Sequence, residues 1–287
     1  MTPFDFSAAI APPRIGVLGT GTSGCETIER MRRAGVPGAV FYDLDVRAPA
    51  LDRGRVSALV GDVDLLFAIV HVGDRQAVTR AASIVNRVRE TGGIAVVLAA
   101  APFEFEGSFR ERGAARDLVA LARLPGALLV LPQQRLLSMF PAPPPRSVAY
   151  GLADDALLRI VEAVVGLIDR SILIGVDFAD VRLVMEEPGP ARAGWGMGRG
   201  PRRVRRALRA ALAGPLLGAR DLAAARALLV NVSIPTSFDM SEWSELSDAV
   251  HALTASDDVP VVMGCTRGTG SERELRVTIL ATGIGGK

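Results

Sequence analysis

The sequence predicts an α/β fold in which a parallel sheet is covered by helices and one long helix joins two α/β halves. Short apolar runs without polar alternation recur along the first half of the chain, which is typical of strands buried on both faces. Helical patterns separate these runs, as they do in a parallel sheet. The longest uninterrupted helical pattern begins at residue 151, with strand and helix signals on either side of it.

In the first half, five apolar runs are predicted to be strands. They cover residues 14–18, 39–42, 65–70, 94–99 and 127–131. A helix over 25–34 follows the first strand and ends at Gly35 and Pro37, and further helices over 77–90 and 109–122 precede the fourth and fifth strands. A proline-rich run at 141–145 then breaks the chain.

The central helix is predicted from apolar residues at three-and-four spacing, the pattern of a helix buried along one stripe. These residues are Ala153, Leu157, Ile160, Val161, Val164, Val165 and Ile168. Beyond it the sequence predicts helices over 178–186, 201–213 and 242–254, a strand over 227–234, and a closing pair of strands over 259–265 and 274–281. The predicted division is a first domain over 1–150, the central helix over 151–172 and a second α/β domain over 173–287.

Composition excludes several classes of protein. A chain of 287 residues that is 49% hydrophobic can bury a sizeable core. No apolar run reaches the ~18 residues of a membrane span and the N-terminus lacks a signal-peptide pattern, so we expect a cytoplasmic protein. Two cysteines and two histidines argue against a metal site. Lys287 is the only lysine, which excludes a Walker-type phosphate-binding lysine.

A glycine motif follows the first predicted strand. Gly19, Gly21 and Gly24 fit G-x-G-x-x-G, and Asp43 ends the next strand about 20 residues on, as in a Rossmann-type nucleotide-binding domain. Glycines there let backbone N–H groups approach a phosphate at a helix N-terminus. By itself the motif fits an NAD(P)-binding enzyme, and it fits a tight turn without a ligand equally well.

Longer stretches resemble the FtsZ family, the bacterial relatives of tubulin. The resemblance is carried by PFEFEG at 102–107, VDFADVR at 176–182 and ELRVTILATGIG at 274–285, and its order and spacing cover nearly the whole chain. It implies a GTP-binding fold with a nucleotide-binding domain, a central helix and a second α/β domain. It also implies head-to-tail polymerisation and a role in cell division.

Departures from the family pattern predict a degenerate GTP site. The family's glycine-rich phosphate loop corresponds to residues 73–79, where Gly73 is the one remaining glycine and Asp74 adds a negative charge. Two like charges ~4 Å apart at an effective dielectric constant of 20 cost about 4 kcal/mol, which Arg75 partly offsets. Residues 54–62 are too few for the loop that faces the terminal phosphate, and DLD at 43–45 replaces the family's N-T-D.

Other positions of the nucleotide pocket are kept, according to the resemblance. Tyr150 matches an aromatic residue that stacks on the base, and Asp154 matches the residue that reads guanine, a task that a carboxylate can still perform. Glu106 and Arg110 match residues that contact the nucleotide. We therefore expect no cofactor, with weak GTP or GDP binding as the alternative.

Two acids after the central helix match the family's catalytic pair. Asp177 and Asp180 correspond to acids that reach into the next subunit's nucleotide pocket and help to activate water, although Gly175 replaces the asparagine that usually precedes them. They can polarise a nucleophile only opposite a phosphate. The favoured interpretation is that Asp177 caps the helix that begins at Phe178, so no catalytic residue is assigned.

Six arginines fall within residues 199–209. If Pro201 opens a helix, Val204, Leu208 and Leu212 form its apolar stripe. The remaining surface then carries Arg202, Arg203, Arg205, Arg206 and Arg209. This surface is either a solvated face or a contact with an anionic membrane surface or an acidic protein. Nucleic acid is not expected, because no aromatic residues interleave with the arginines.

Three function classes remain. The favoured one is an FtsZ-like cytoskeletal or scaffold protein that self-associates head to tail without GTP hydrolysis, in the cytoplasm or at the inner face of the membrane. The second is an FtsZ-type GTPase of low activity in cell division or membrane remodelling, and the third is an NAD(P)-binding Rossmann enzyme. Because the chain ends at Lys287, we expect no adaptor-binding tail of the kind that FtsZ carries.

Overall fold

The computed structural model describes residues 12–44, 59–168, 176–254, 256, 258–268 and 273–285. The strands are β1 (Ile15–Thr20), β2 (Ala39–Leu44), β3 (Leu65–His71), β4 (Ile94–Ala101), β5 (Ala127–Pro132), β6 (Gly189–Arg199), β7 (Ala227–Ile234), β8 (Val261–Arg267) and β9 (Glu274–Thr282). The helices are α1 (Gly21–Ala34), α2 (Arg75–Glu90), α3 (Ser108–Leu121), α4 (Gln133–Leu136), α5 (Arg146–Ile168), α6 (Phe178–Glu186), α7 (Arg203–Ala213), α8 (Ala219–Ala223) and α9 (Met240–His251).

The strands of the described residues form one sheet, in the order β2-β1-β3-β4-β5-β6-β9-β7-β8. The first five strands are parallel, as the apolar runs predict, and the α/β class is confirmed. Along β3, Leu65, Phe67 and Ile69 face the core shared with α1, α5 and α6. The intervening residues face the core shared with α2 and α3. Burial on both faces is the reason that these strands show no polar alternation.

β6, a strand that the sequence did not predict, joins the two halves. It pairs in parallel with β5 over residues 189–191 and antiparallel with β9 over 192–199. Four of its eleven residues are glycine, a composition that argues against a strand. The glycines are required because α7 lies directly on β6. A Cβ on Gly194 would lie 2.6 Å from the carbonyl oxygen of Ala211, and one on Gly196 would overlap the backbone of α7.

Two predictions about the second half are wrong. The closing strands β8 and β9 do not pair with each other, because they flank β7 on opposite sides, parallel and antiparallel respectively. The central helix α5 begins at Arg146 rather than at residue 151, because its first turn follows directly on Pro145, whose carbonyl accepts from the N–H of Ala149. Its predicted end at 172 lies outside the described residues, and the domain boundaries at 150 and 173 stay predictions.

Replacement of Gly196 by alanine is expected to lower the free energy of unfolding by about 1–3 kcal/mol, the usual range for overpacking. The added methyl group would meet Ala207 and Ala211 of α7, and it would lie 2.8 Å from the Cβ of Ala210. Urea denaturation measures the change. Gly61→Ala is the matched control, because a Cβ there meets nothing within 4 Å. Equal transition midpoints for the two variants would mean that α7 does not lie this close to β6.

Candidate functional site

The predicted nucleotide-site glycines lie where β1 passes into α1. The helix begins at Gly21 and not at Cys25, so Gly21 and Gly24 belong to its first turn rather than to a preceding loop. Gly21 has a φ of 72°, in the left-handed region that favours glycine. A Cβ on Gly19 would overlap the carbonyl of Gly24, which explains why this turn needs glycine whether or not a ligand binds.

Asp74, the acid in the predicted phosphate loop, caps α2. Its Oδ1 accepts hydrogen bonds from the backbone N–H groups of Gln76 and Ala77, both at 3.1 Å. Its other oxygen faces α1, since a Cβ on Gly21 would lie 3.0 Å from Oδ2. The N-terminal amides of a helix attract anions. At the N-terminus of α2, the carboxylate of Asp74 occupies the place that a bound anion would take.

The loop before α2 is fastened to α3. The N–H of Gly73 donates to Oδ2 of Asp117 at 2.8 Å, and Asp117 is buried. Gly73 has a φ of 97°, and a Cβ there would lie 3.0 Å from the carbonyl oxygen of Arg110. The single glycine kept from the family's loop is therefore required by its backbone conformation and by the approach of α3.

Asp154, the predicted guanine-reading residue, is paired with two side chains of α1. Its Oδ1 accepts from the hydroxyl of Thr27 at 2.7 Å, and its Oδ2 lies 3.2 Å from the guanidinium of Arg30. Burial raises the pKa of Asp154, and the hydrogen bond from Thr27 and the charge of Arg30 oppose this rise. Both carboxylate oxygens are therefore engaged within the chain.

The same threonine contacts His71 at the end of β3. The Nε2 atom of His71 lies 3.1 Å from Oγ1 of Thr27. Burial, with a smaller contribution from the positive charge of Arg110, lowers the pKa of His71 to about 4. The sequence did not predict this network. The one sign of it in the sequence is the spacing of Thr27 and Arg30, which are three residues apart and so lie on one face of a helix.

Glu106 and Arg110 bind each other. The carboxylate of Glu106 accepts from the N–H of Phe103 at 2.9 Å and pairs with Arg110 at 2.8 Å. Tyr150 packs edge to face on Phe103 and on Phe105, with ring centroids 5.4 and 5.8 Å apart. The predicted base-stacking ring therefore belongs to an aromatic cluster at the start of α5.

The two acids that match the family's catalytic pair lie at a different element, with Asp177 directly before α6 and Asp180 in its first turn. The carboxylate of Asp177 accepts from the N–H of Ala179 at 3.2 Å, which confirms the capping interpretation. Asp177 and Asp180 are both exposed. Gly175 and Asp45 lie outside the described residues, as do residues 54–58 of the shortened loop segment.

Neither a metal cluster nor a membrane span is found in the part of the chain that the structure describes. No group of three His, Cys, Asp or Glu side chains there could hold a metal ion. No helix there combines the length and apolarity needed to cross a bilayer. Burial raises the pKa of the Cys265 thiol to about 12, so this cysteine is a packing residue.

Known proteins are similar to this chain in sequence and in fold. The FtsZ family C-terminal domain matches residues 189–285. The cell division protein FtsZ of Pseudomonas aeruginosa is 29% identical over 95% of this chain and 78% of its own length. FtsZ of Coxiella burnetii is 34% identical over 81% of this chain and 60% of its own length. An empty FtsZ dimer of M. jannaschii superimposes with a TM-score of 0.84 at 27% identity, covering 95% of this chain and 89% of that one.

The chain belongs to the FtsZ/tubulin superfamily. CetZ1 from Haloferax volcanii, solved as a GDP-bound monomer, shares the fold at 15% identity with a TM-score of 0.73, over 95% of each chain. The resemblance of the sequence to FtsZ and the two-domain fold that it implies are thus confirmed.

In this FtsZ-like chain the arginine-rich helix α7 is more constrained than the sequence predicts. Arg203 is not on the open surface, because its guanidinium makes two hydrogen bonds of 2.6 Å to Glu242 of α9 and further ones to Ser237. Arg205 pairs with Glu245 of the same helix at 2.7 Å. The sequence could not show this, because the acidic partners lie about 40 residues away in the chain.

Within the described part of the chain, three exposed arginines at and near the N-terminus of α7, here called the α7 stripe, make no ion pair with α9. Arg206 and Arg209 lie three residues apart on α7, whereas Arg202 precedes the helix with a φ of 61°, because α7 begins at Arg203 and not at Pro201 as predicted. Arg206 donates to the carbonyl of Arg199 at 2.7 Å. Of the five arginines predicted to be on the surface, two therefore pair with acidic residues of α9, and the other three are exposed without such a pair in the residues that the structure describes.

Proposed function

We propose that this FtsZ-like chain is a cytoplasmic assembly or scaffold protein that self-associates head to tail and does not hydrolyse GTP. The observation that carries the proposal is the carboxylate of Asp74 at the N-terminus of α2. By resemblance to FtsZ, this carboxylate lies at the position of the family's phosphate-binding loop.

The electrostatics of this position disfavour a bound phosphate. The amides of Gln76 and Ala77, which could receive an anion, already donate to Asp74. A phosphate oxygen ~4 Å from the carboxylate would be repelled by about 4 kcal/mol at an effective dielectric constant of 20. This energy corresponds to a loss of nearly a thousandfold in affinity.

The rest of the pocket supports the same proposal. Asp154 is engaged by Thr27 and Arg30, and Glu106 is engaged by Arg110, so a nucleotide would have to replace existing pairs.

Weak GTP or GDP binding by a low-activity GTPase is the alternative, and relatives such as CetZ2, solved as a GTPγS-bound protofilament, bind nucleotide. An NAD(P)-dependent enzyme meets the same obstacle, because its pyrophosphate would approach Gly21 beside Asp74.

We expect no GTP turnover by the purified chain, measured as phosphate release, and no heat of GTP, GDP or NAD binding in calorimetry at millimolar concentration. Two variants separate charge from shape. Asp74→Asn keeps a helix cap without the charge, whereas Asp74→Gly also removes the side chain. Binding gained by both variants would identify the charge as the obstacle, and binding gained by the glycine variant alone would identify the side chain. Turnover by the wild type comparable to that of an active FtsZ would contradict the proposal.

Head-to-tail association is supported by the exposed face of α6. Asp177 and Asp180 are exposed there, and Leu183 is 53% exposed, so the face that resembles the family's filament contact is polar with one apolar residue. The FtsZ relative from M. jannaschii was solved as a dimer. Because no hydrolysis would loosen the contact, assembly should depend on concentration and salt and not on nucleotide.

Sedimentation velocity over a range of concentrations is expected to show oligomers that are unchanged by GTP. Asp180→Arg and Leu183→Glu should shift the distribution towards the monomer. Asp177→Arg is less informative, because it also removes the cap of α6. Asp248→Arg, an exposed change on α9, is the control. A wild-type protein that is monomeric at every concentration would rule the assembly out.

The α7 stripe of Arg202, Arg206 and Arg209 is proposed to contact an acidic protein surface, with an anionic membrane surface as the alternative. Arginine pairs with carboxylates through a planar fork of donors, and α7 already makes such pairs with α9. Among the described residues of α7, none is an exposed large apolar residue that could enter a bilayer. These two features favour carboxylates over lipid.

Polyglutamate serves as a defined acidic probe for this stripe. Binding of the chain to polyglutamate should weaken as salt rises and should fall at least tenfold in the triple variant Arg202→Glu, Arg206→Glu, Arg209→Glu. Equal binding by the wild type and the triple variant would leave the stripe as a solvated face. Loss of binding to anionic vesicles instead would favour the membrane alternative.

A further inference from the structure

A second positively charged stripe, on the outer face of α3, contains exposed apolar residues. Phe109 is 77% exposed and Val119 is 58% exposed. Arg112 and Arg116 lie between them in sequence, and both are exposed. At 3.6 residues per turn the four side chains fall within a sector of about 80°, and the two apolar residues are about 15 Å apart along the helix axis.

Contacts on the inner face of α3 keep this stripe exposed to solvent. Ala114 and Leu121 are buried in the core beneath β4, and the buried Asp117 holds the N–H of Gly73. Rotation of α3 to bury Phe109 would expose these three residues and break that hydrogen bond. The exposed aromatic ring is therefore a stable feature of the surface.

The charges on the stripe are available to an external partner. Within the described residues, Arg112 and Arg116 have no ion-pair partner, unlike Arg203 and Arg205 of α7. The one acid exposed on α3, Glu111, lies outside the 80° sector. The stripe thus combines positive charge with apolar groups and carries no compensating acid.

The neighbouring helix α2 extends the positive surface. α2 begins beside α3, because a Cβ on Gly113 would lie 3.4 Å from the Cα of Gly73. The first two turns of α2 line an open depression of about 380 Å³. Its lining residues are Arg75, Gln76, Thr79 and Arg80. This depression and the α3 stripe lie on the same side of the sheet, since α2 and α3 pack on one core.

We propose that α3 binds an anionic lipid bilayer, with Phe109 and Val119 entering the headgroup region while Arg112 and Arg116 contact lipid phosphates. Apolar side chains beside arginines are the combination found on helices that lie at a membrane surface. An acidic protein would match the arginines but would leave Phe109 in water. This role goes beyond the assembly function and does not depend on whether a nucleotide binds.

The test is co-sedimentation of the full chain with vesicles. We expect binding to phosphatidylglycerol vesicles, little binding to phosphatidylcholine vesicles, and weakening as salt rises. Each basic residue near anionic lipid contributes roughly a fivefold factor, so Arg112→Glu with Arg116→Glu should lower the partition coefficient at least about 25-fold. Phe109→Ser with Val119→Ser should lower it by about tenfold, and by the same factor in high salt, where charge is screened.

Matched controls separate this surface from others. Arg220→Glu with Arg267→Glu makes the same charge change at exposed positions elsewhere and should leave vesicle binding within about twofold. The α7 triple variant should lose polyglutamate binding and keep vesicle binding, whereas the α3 variants should do the reverse. The membrane proposal for α3 can therefore hold even if the predictions about α7 or about GTP fail.

Three outcomes would overturn the proposal. One is a wild-type chain that does not distinguish phosphatidylglycerol from phosphatidylcholine. Another is a Phe109→Ser, Val119→Ser variant that binds vesicles like the wild type, which would leave only a charge effect. The third is a change in the sedimentation of that variant without lipid, which would make the stripe a contact between copies of the chain. Unchanged circular dichroism and melting temperature would show that the variants are folded.

Discussion

The close contact between β6 and α7 is the constraint on which the second half of the structure depends. β6 can join the sheet of the first half to that of the second because glycine at 194, 196 and 198 lets α7 lie on it at backbone distance. Because one face of α7 must pack on these glycines, the rotation of the helix about its own axis is fixed. That rotation turns Arg203 towards Glu242 and leaves Arg202, Arg206 and Arg209 outside.

In the candidate nucleotide site, the acidic side chains accept hydrogen bonds from other groups of the same chain. Asp74 accepts from amides of α2, Asp154 from Thr27, and Glu106 from the N–H of Phe103. A charged or polar group that is removed from water must find a partner, and here each partner is supplied by a neighbouring element. The acids at this edge of the sheet therefore have hydrogen-bond partners within the chain.

The two basic helices illustrate how the same residue type acquires different roles. On α7 two arginines pair with carboxylates of α9, and the other exposed arginines have no exposed large apolar residue beside them among the described residues of the helix. On α3 two arginines stand between an exposed phenylalanine and an exposed valine. Composition counts these arginines alike, whereas the structure shows that the two helices differ in the exposed apolar residues and in the acids that lie beside the arginines.

The sequence by itself determined the α/β class, the parallel first half, and elements such as α6 and β7, whose bounds agree with the predicted ones. Local patterns suffice there, because apolar spacing records which face of a segment is buried. Tertiary structure alone decided that β6 is a strand, since its glycines have meaning only against α7. It also decided that Asp154 pairs with Thr27, which is 127 residues away, and that Arg203 is buried. The physical reason is that a local pattern shows that a face is covered but does not show which distant residues cover it.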